Sequence, residues 1–222
     1  KSPTFRIVLE NKYEWAPPWY APTWGVVFFL YNFQDPADGR FVYRKAFWDF
    51  VNASAGKMGD TAIANFEELV LANPEPATEG KTSSLRLAKT VDELNDIWKQ
   101  YLFDLRDLQT GSNKQAPPYL EWATLARKRG ALDDAAEFFE RAFQTSPADP
   151  VVLEAFAGFL SERKKDDRAA KLLTVALSVV ENTAPVHPAR VDALDKQLRE
   201  VDPAVQRLDE VLPARLPGDG FG

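Results

Sequence analysis

The chain has 222 residues, of which 45% are hydrophobic and 27% are charged, a composition that can build the core of one large or two small domains. Its formal net charge of −6 at pH 7 argues against a nucleic-acid-binding protein, which usually presents a basic face. The sequence has no cysteine, which excludes disulfides and cysteine-based metal sites, and its longest apolar run, residues 24–30, is far too short to span a bilayer.

The sequence begins at Lys1, without an initiator methionine or a signal peptide. We interpret it as a processed product, exported with its signal peptide removed, or as the C-terminal portion of a longer bacterial protein. The compartment stays unknown, because a chain without cysteine carries no mark of its redox environment.

The first part of the chain predicts a strand, two helices and a turn. Residues 4–9 are rich in β-branched and aromatic side chains, which predicts a short strand. Pro17 and Pro18 are expected to exclude helix, whereas Pro22 suits the first turn of a helix over residues 20–33. Because this helix is apolar nearly all round, we expect it to be central and buried. Residues 35–39 predict a turn rather than a calcium loop, and residues 40–53 predict a second helix.

The middle of the chain predicts two more helices, separated by a loop. Asp60 is expected to cap a helix over residues 61–72, on which Glu67 and Glu68 form a solvated face. Residues 73–84 are rich in Pro, Glu, Thr, Gly and Ser, which predicts an exposed loop. Thr90 and Glu93 form a capping box, which predicts a strong helix to about residue 108, followed by a linker over residues 111–115.

Aromatic residues are concentrated near the start of the chain and predict an aromatic core there. The tryptophans of the first fifty residues are Trp15, Trp19, Trp24 and Trp48. For the cluster of Trp15, Trp19, Tyr20 and Trp24 we favour packing in the core and between domains. The alternative is a platform on which sugars or a proline-rich peptide stack.

A pattern of large and small residues occurs twice between residues 116 and 183, with an offset of 34 residues. The paired positions are Tyr119 and Leu153, Trp122 and Phe156, Ala123 and Ala157, Ala135 and Ala169, Phe139 and Leu173, and Ala142 and Ala176. This period is typical of helix–turn–helix repeats that bury their apolar faces by stacking on neighbours. The predicted helices are a first that opens at Pro117 and ends near Arg129, then residues 132–145, 151–162, 167–181, 189–201 and 203–212.

These repeats resemble the tetratricopeptide repeat (TPR) family over residues 116–183. The signature positions of the first repeat hold Tyr119, Trp122, Ala123, Gly130, Ala135, Phe139, Ala142 and Pro147. In the second repeat, Lys164 replaces the turn glycine and Glu181 replaces the terminal proline. The resemblance implies a protein or peptide partner, bound in a groove that the first helix of each repeat lines. An alternative is that two repeats only buttress the N-terminal part.

The resemblance places eight residues in that groove. They are Leu120, Thr124, Arg127 and Lys128 from the first repeat, and Glu154, Gly158, Ser161 and Glu162 from the second. Leu120 and Thr124 stand where carboxylate-clamp members of the family have Lys and Asn. That departure argues against binding of a C-terminal carboxylate. Arg127, Lys128 and Arg129 are otherwise interpreted as solvated cations at a helix end.

The N-terminal part is similar to another family. Residues 19–31, Trp-Tyr-Ala-Pro-Thr-Trp-Gly-Val-Val-Phe-Phe-Leu-Tyr, and the later Trp98-Lys-Gln-Tyr101 resemble the helical region after the active site of bacterial gluzincin-like metallopeptidases of uncharacterised function. Such peptidases hold zinc with His-Glu-x-x-His, in which two imidazoles face one metal. This chain has a single histidine, His187, which we interpret as a surface residue. The resemblance therefore implies metal ligands upstream of Lys1.

Other catalytic patterns are missing from the sequence. It has no Walker A loop, no Gly-x-Gly-x-x-Gly and no Gly-x-Ser-x-Gly elbow. We therefore predict no catalytic residue, metal ligand or cofactor in this chain.

Taken together, the patterns predict an all-α protein: an aromatic helical domain over residues 1–110, two TPR units over 116–183, capping helices over 184–212 and a flexible tail over 213–222. The leading hypothesis is a non-catalytic interaction or scaffold module with a protein or peptide partner, without nucleic acid and without a membrane span. The alternatives are the helical C-terminal part of a zinc metallopeptidase and a structural subunit of a larger assembly.

Overall fold

Every regular element in the described part of the chain is a helix, which confirms the all-α fold class. The computed structural model describes residues 4–10, 16–54, 61–110, 117–183 and 187–204. The helices are α1 (Phe5–Leu9), α2 (Pro17–Asn32), α3 (Arg44–Ser54), α4 (Ala62–Phe66) with a π-helical continuation (Glu67–Leu71), α5 (Val91–Gln109), α6 (Tyr119–Lys128), α7 (Leu132–Thr145), α8 (Pro150–Glu162), α9 (Asp166–Glu181) and α10 (Pro188–Val201).

The chain divides into two compact units, Lys1–Ala135 and Ala136–Gly222, with the division inside α7. The domain limits expected from the sequence stay a prediction. The predicted cap at Asp60, the linker over residues 111–115, most of the helix over residues 203–212 and the tail over 213–222 lie outside the described residues. No helix in the described ranges is both long and apolar enough to cross a membrane.

The strand predicted for residues 4–9 is wrong, because these residues form α1. The Thr4 hydroxyl caps this helix by accepting a hydrogen bond from the Ile7 amide. A helix satisfies its own backbone hydrogen bonds, whereas a lone strand needs a partner. Its one-turn spacing also puts Phe5 and Leu9 on one face, and both are buried. The Phe5 amide donates to Oδ1 of the buried Asn95 at 3.2 Å, which ties α1 to α5.

The start of α2 differs from the prediction, because Pro17 and Pro18 open the helix instead of excluding it. Proline fits the first helical positions, where its missing N–H has no acceptor to lose. Pro22 consequently lies inside the helix rather than in its first turn.

Burial of α2 is limited to one face, so the expectation of an all-round buried helix is also wrong. Val26, Phe29 and Leu30 enter the core, while Trp24 is 72% exposed. Tyr20 and Phe28 lie one turn away on either side of Trp24 and are exposed as well. The favoured packing interpretation therefore fails for Tyr20 and Trp24, and the stacking-platform alternative stays a prediction. Trp19 is half-buried, and Trp15 lies outside the described residues.

Phenylalanine, more than tryptophan, fills the core of the first unit. The largest buried members of its hydrophobic cluster are Phe5, Phe29, Phe33, Tyr43, Phe47, Phe50, Phe66 and Trp98. Trp98 crosses from α5 to α2, where its indole N–H donates to the Gly25 carbonyl at 3.2 Å. Trp48, by contrast, is 55% exposed. The predicted aromatic core exists: rings of α1 and α2 pack against α5, and rings of α3 pack against α2 and α4.

The helices that follow α2 depart from the predicted bounds in informative ways. α3 begins at Arg44 rather than residue 40, because Phe41 forms an antiparallel bridge with Gln34. The helix after residue 61 changes to a π-helix at Glu67, whose carboxylate accepts the Val91 amide at 2.9 Å. Glu67 is therefore a cap of α5 and not part of a solvated face. Thr90 caps α5 as predicted, by accepting the Glu93 amide.

In the second unit, α8, α9 and α10 follow one another through short connections, and α9 packs on both α8 and α10. Phe139 of α7 stacks on Phe156 of α8, with ring centroids 5.5 Å apart. The guanidinium of Arg168, in α9, lies over the same Phe156 ring, 4.9 Å from its centre. Successive helices therefore bury one another's apolar faces, as in a solenoid.

Burial and helix ends in the structure follow the 34-residue period. Apart from Tyr119, all paired positions are buried, each 6% exposed or less. Lys128 and Glu162, which end α6 and α8, are 34 residues apart, and so are Leu132 and Asp166, which begin α7 and α9. Gly130 has φ +80° and Lys164, 34 residues later, has φ +57°. The second repeat thus keeps the left-handed turn without its glycine.

Replacing Lys164 by glycine should stabilise the second unit. A residue with a Cβ costs about 1–2 kcal/mol in the left-handed region, and glycine removes this cost. Glycine also has more freedom in the unfolded chain, which offsets part of the gain in stability. We expect a net gain of about 0.5–1 kcal/mol, measured as slower amide hydrogen exchange in α8 and α9. Lys171→Gly, in the middle of α9, is the control and should instead lose about 1 kcal/mol. An equal loss of stability in Lys164→Gly and Lys171→Gly would contradict the left-handed conformation of Lys164.

Candidate partner-binding grooves

Among the described residues, each unit has a groove, and the two grooves differ in the charge of their lining. The first, here called the cationic groove, has a volume of about 1380 Å³ and lies within Lys1–Ala135. The second, the acidic groove, has a volume of about 330 Å³ and lies within Ala136–Gly222.

The acidic groove lies between α8 and α10, the two helices on either side of α9 in sequence. Its walls are Glu154, Gly158, Ser161 and Glu162 of α8 and Gln197, Glu200 and Val201 of α10, over Ala157 and Leu173. The structure therefore brings together all four groove residues predicted in the second repeat. The amide of Gln197 donates to Oε1 of Glu154 at 3.3 Å and links the two walls.

Shape and charge of the acidic groove follow from a few side chains. Gly158 leaves a gap in the face of α8, because a Cβ added there would meet no atom within 4 Å. Three glutamates, and no lysine or arginine, are among the described residues that line the groove. Such a site attracts a cationic side chain, and arginine can bond a carboxylate with two parallel N–H groups.

The predicted groove residues of the first repeat lie on α6. Thr124 is exposed, and its hydroxyl donates to the Leu120 carbonyl within the same helix at 2.9 Å. Arg127 and Lys128 are exposed near the end of the helix. Of these four residues, only Lys128 lines the cationic groove. Their role in binding stays a prediction.

The cationic groove is built on a buried ionic cluster of Asp35, Asp38 and Arg40. The two aspartates are fully buried, and Arg40 is 5% exposed. The Arg40 guanidinium contacts Asp35 Oδ2 at 2.6 Å and both carboxylate oxygens of Asp38 at 3.2 Å. Its Nε donates to the Glu75 carbonyl at 3.0 Å, and the Thr78 amide donates to Asp38 Oδ2 at 3.0 Å. The cluster therefore fixes the loop of residues 73–84 to the turn at residues 35–39.

The local sequence explains why this turn forms. The carbonyl of Asp35 accepts the Gly39 amide at 2.8 Å, and its side chain accepts the Ala37 amide at 2.8 Å. Gly39 has φ +72°, a backbone conformation that glycine adopts without strain. The predicted turn is confirmed, but its burial was not predicted. Two aspartates and an arginine within six residues are the signal that could have indicated an internal ion pair.

The pKa of Asp38 reflects the same contacts. Burial by itself raises the pKa of this carboxyl, but hydrogen bonds from Thr78 and the Arg40 amide, with the charge of the Arg40 guanidinium, outweigh it. The net effect is a pKa below the usual aspartate value. Asp38 is therefore charged and engaged at neutral pH.

A second set of contacts joins α3 and the end of α6. Arg44 donates from Nε to the Tyr31 carbonyl at 2.8 Å, and its guanidinium lies 3.2 Å from the centre of the Phe41 ring. Asp134 lies within 3.5 Å of the Arg44 guanidinium and 3.6 Å of that of Arg129. Arg129 also donates to the Asp38 carbonyl at 3.3 Å. The interpretation of Arg129 as a solvated helix-end cation is therefore wrong.

The lining of the cationic groove carries an excess of positive charge. The basic residues are Arg40, Arg44, Lys45, Lys81, Lys128 and Arg129, and the acidic residues are Glu75, Glu79 and Asp134. Six cations and three carboxylates line the groove, and the buried Asp35 and Asp38 beneath it neutralise part of this excess. The lining is thus richer in cations than in carboxylates, in a chain whose net charge is −6.

Within the described ranges, no group of three or more His, Asp or Glu side chains lies where it could hold a metal ion. His187 is exposed at the N-cap position of α10, as the sequence predicted for a surface residue.

Comparison with known proteins gives one distant relative. The chain is similar to protein O-mannosyl-transferase Tmtc1 of Drosophila melanogaster, a TPR-containing protein, with 29% identity over 120 residues. The match covers 54% of this chain and 14% of the Drosophila protein. No protein-family model matches the chain, and no solved structure matches it with significance. The similarity fits a TPR-like helical chain and gives no support to the metallopeptidase resemblance.

Proposed function

We propose that the chain is a non-catalytic protein-interaction module whose acidic groove holds a basic side chain of an extended partner segment. The observation that carries the proposal is the convergence of Glu154, Gly158, Ser161 and Glu162 with α10 around an open gap. In TPR-like stacks the first helix of each repeat faces the binding side, and α8 and α10 occupy alternate places in this stack. The distant TPR-containing relative supports the same class of function.

The dimensions of the acidic groove favour a side chain over a whole ligand. Its volume of about 330 Å³ lies at the lower end of ligand sites. A single arginine or lysine would fill it and leave the rest of the partner segment along the faces of α8 and α10. The three glutamates would then pair with a partly desolvated cation, which is worth more than an exposed ion pair.

The test measures binding of a short fluorescein-labelled peptide of alternating arginine and serine by fluorescence anisotropy at low salt. We expect saturable binding to the intact chain, weakened about tenfold, or ~1.4 kcal/mol, by Glu154→Gln with Glu200→Gln. Asp192→Asn with Asp167→Asn removes the same two charges from exposed positions outside the groove. This control should retain the affinity of the unmodified chain.

The gap at Gly158 provides a second test that does not depend on charge. Gly158→Trp should fill the groove and prevent binding, whereas Gly158→Ala should leave binding intact and stabilise α8 by about 1 kcal/mol. The proposal fails if the arginine peptide does not bind, or if the two Gly158 variants bind it equally.

A further inference from the structure

The cationic groove of the first unit supports an inference beyond the function proposed for the second unit. Its cation-rich lining suits an anionic ligand, whereas the acidic groove suits a basic side chain. Six cations and three carboxylates line the cationic groove, over the buried Asp35 and Asp38, in a chain of net charge −6. Here Arg40 after the turn at residues 35–39, the loop of residues 73–84, α3 and the end of α6 all contribute basic residues to one surface.

The cations of this groove fall into two classes. The guanidinium groups of Arg40, Arg44 and Arg129 are held by internal carboxylates and carbonyls and shape the groove. Lys128 is exposed and forms no hydrogen bond or ion pair within the described part of the chain.

Two further lysines are available at the rim of the groove. Lys45 pairs with Asp49 at a well-exposed position, and Lys81, whose side chain is 36% exposed, pairs with Glu121. Exposed pairs of this kind are worth 0–1 kcal/mol, about the thermal energy, so their lysines can exchange partners. Three ammonium groups can therefore meet an incoming anion without any change in the arginine framework.

Size and long-range charge indicate the class of ligand. A volume of about 1380 Å³ exceeds that of most small-molecule sites, which range over about 300–1,000 Å³. A long polyanion such as RNA would meet the repulsion of the remaining acidic surface, whereas a short acidic segment would meet mainly the local field within about 10 Å. The exposed indole of Trp48 adds one apolar contact at the same surface.

We propose that the cationic groove binds an acidic peptide segment of a partner protein. Lys45, Lys81 and Lys128 pair with its carboxylates, and Trp48 packs against an apolar side chain of the segment. The rigid part of the groove, from the ionic cluster to Arg129, is already formed, so binding does not require the walls to be built.

The experiment uses the intact chain and a short fluorescein-labelled peptide with the repeat Glu-Asp-Leu, followed by fluorescence anisotropy. We expect saturable binding that weakens steeply with salt and is lost for the same peptide with Gln and Asn in place of Glu and Asp. Lys128→Glu should weaken binding about tenfold. Lys99→Glu, at an exposed position of α5 outside the groove, makes the same charge change and should leave binding unaltered.

Two further variants keep the test decisive if Lys128→Glu folds poorly. Lys81→Gln should weaken binding severalfold, and Trp48→Ser should do so with little change in salt dependence. Absence of saturable binding, or equal loss in Lys99→Glu and Lys128→Glu, would overturn the proposal. Tighter binding of single-stranded RNA than of the peptide, through the same lysines, would also overturn the proposal. Because the arginine peptide tests the other unit, either proposal can fail while the other stands.

Discussion

Replacing Gly39 by alanine should destabilise the first unit by about 3 kcal/mol or more. A left-handed backbone costs alanine about 1–2 kcal/mol, and Gly39 has φ +72°. An added Cβ would also lie 2.5 Å from Cδ2 and 2.6 Å from Cβ of Trp122, which is 6% exposed. Forcing a buried ring aside adds an overpacking cost of about 1–3 kcal/mol. The two costs add because one acts on the backbone and the other on packing.

Two other glycines allow the steric cost to be measured separately. Gly80 and Gly130 have φ +78° and +80°, and a Cβ at either position would meet no atom within 4 Å. Gly80→Ala and Gly130→Ala should therefore show the backbone cost of about 1–2 kcal/mol alone. The excess in Gly39→Ala measures how tightly Trp122 is held against the turn.

Tryptophan fluorescence is the appropriate measurement in urea titrations. All six tryptophans, from Trp15 to Trp122, lie within Lys1–Ala135, so the signal follows unfolding of the first unit. Equal midpoints for the three alanine variants would show that Trp122 moves away at no cost. The close packing of Gly39 against α6 would then contribute nothing to the stability of the first unit.

The repeated part of the chain could be predicted well, because its information is local. Small residues such as Ala123 and Ala157 recur at one period, and burial follows directly from stacking. Proline and glycine mark the ends of the helices, so the bounds of α7 and α8 agree with prediction to within one residue. Even the substitution at Lys164 left the turn unchanged.

The first unit was harder to predict, because its structure depends on contacts distant in sequence. α1 is stabilised by Asn95, which is 90 residues away, and the π-helical turn at Glu67 is held by the amide of Val91. The aromatic surplus of α2 did not show which face would be buried, since nearly every position is apolar. Hydrophobic periodicity cannot show which face of a helix is buried when the helix has no polar face.

The cationic groove was missed for a related reason. Its cations come from four separate segments, and only Lys128 was singled out as a binding residue. Arg40, Arg44 and Arg129 look in sequence like ordinary surface arginines. Their arrangement is decided by contacts with Asp35, Asp38 and Asp134. The burial of Asp35 and Asp38 follows from the fold and not from any local pattern.

Asp38→Asn should also destabilise the first unit, by about 3 kcal/mol at neutral pH. Both carboxylate oxygens of Asp38 accept from Arg40, and Oδ2 also accepts from the Thr78 amide. An asparagine NH₂ group cannot accept these bonds and would face other donors. Arg40 would retain Asp35 as its remaining carboxylate partner within the ionic cluster. Asp49→Asn, in the exposed pair with Lys45, is the control and should cost less than about 1 kcal/mol.

The pH dependence of the stability difference between the unmodified chain and Asp38→Asn tests whether this difference is electrostatic. Because the pKa of Asp38 is lowered in the folded state, the charged carboxylate contributes stability fully above the ordinary aspartate pKa of about 4. This contribution is lost as the pH falls through the lowered pKa, where the folded chain must also take up the proton. Asparagine resembles the protonated acid, so the difference between the urea midpoints of the unmodified chain and Asp38→Asn should shrink as the pH falls from about 4 through the lowered pKa. A difference that persists unchanged in acid would show that Asp38 acts through shape and hydrogen bonding rather than through charge.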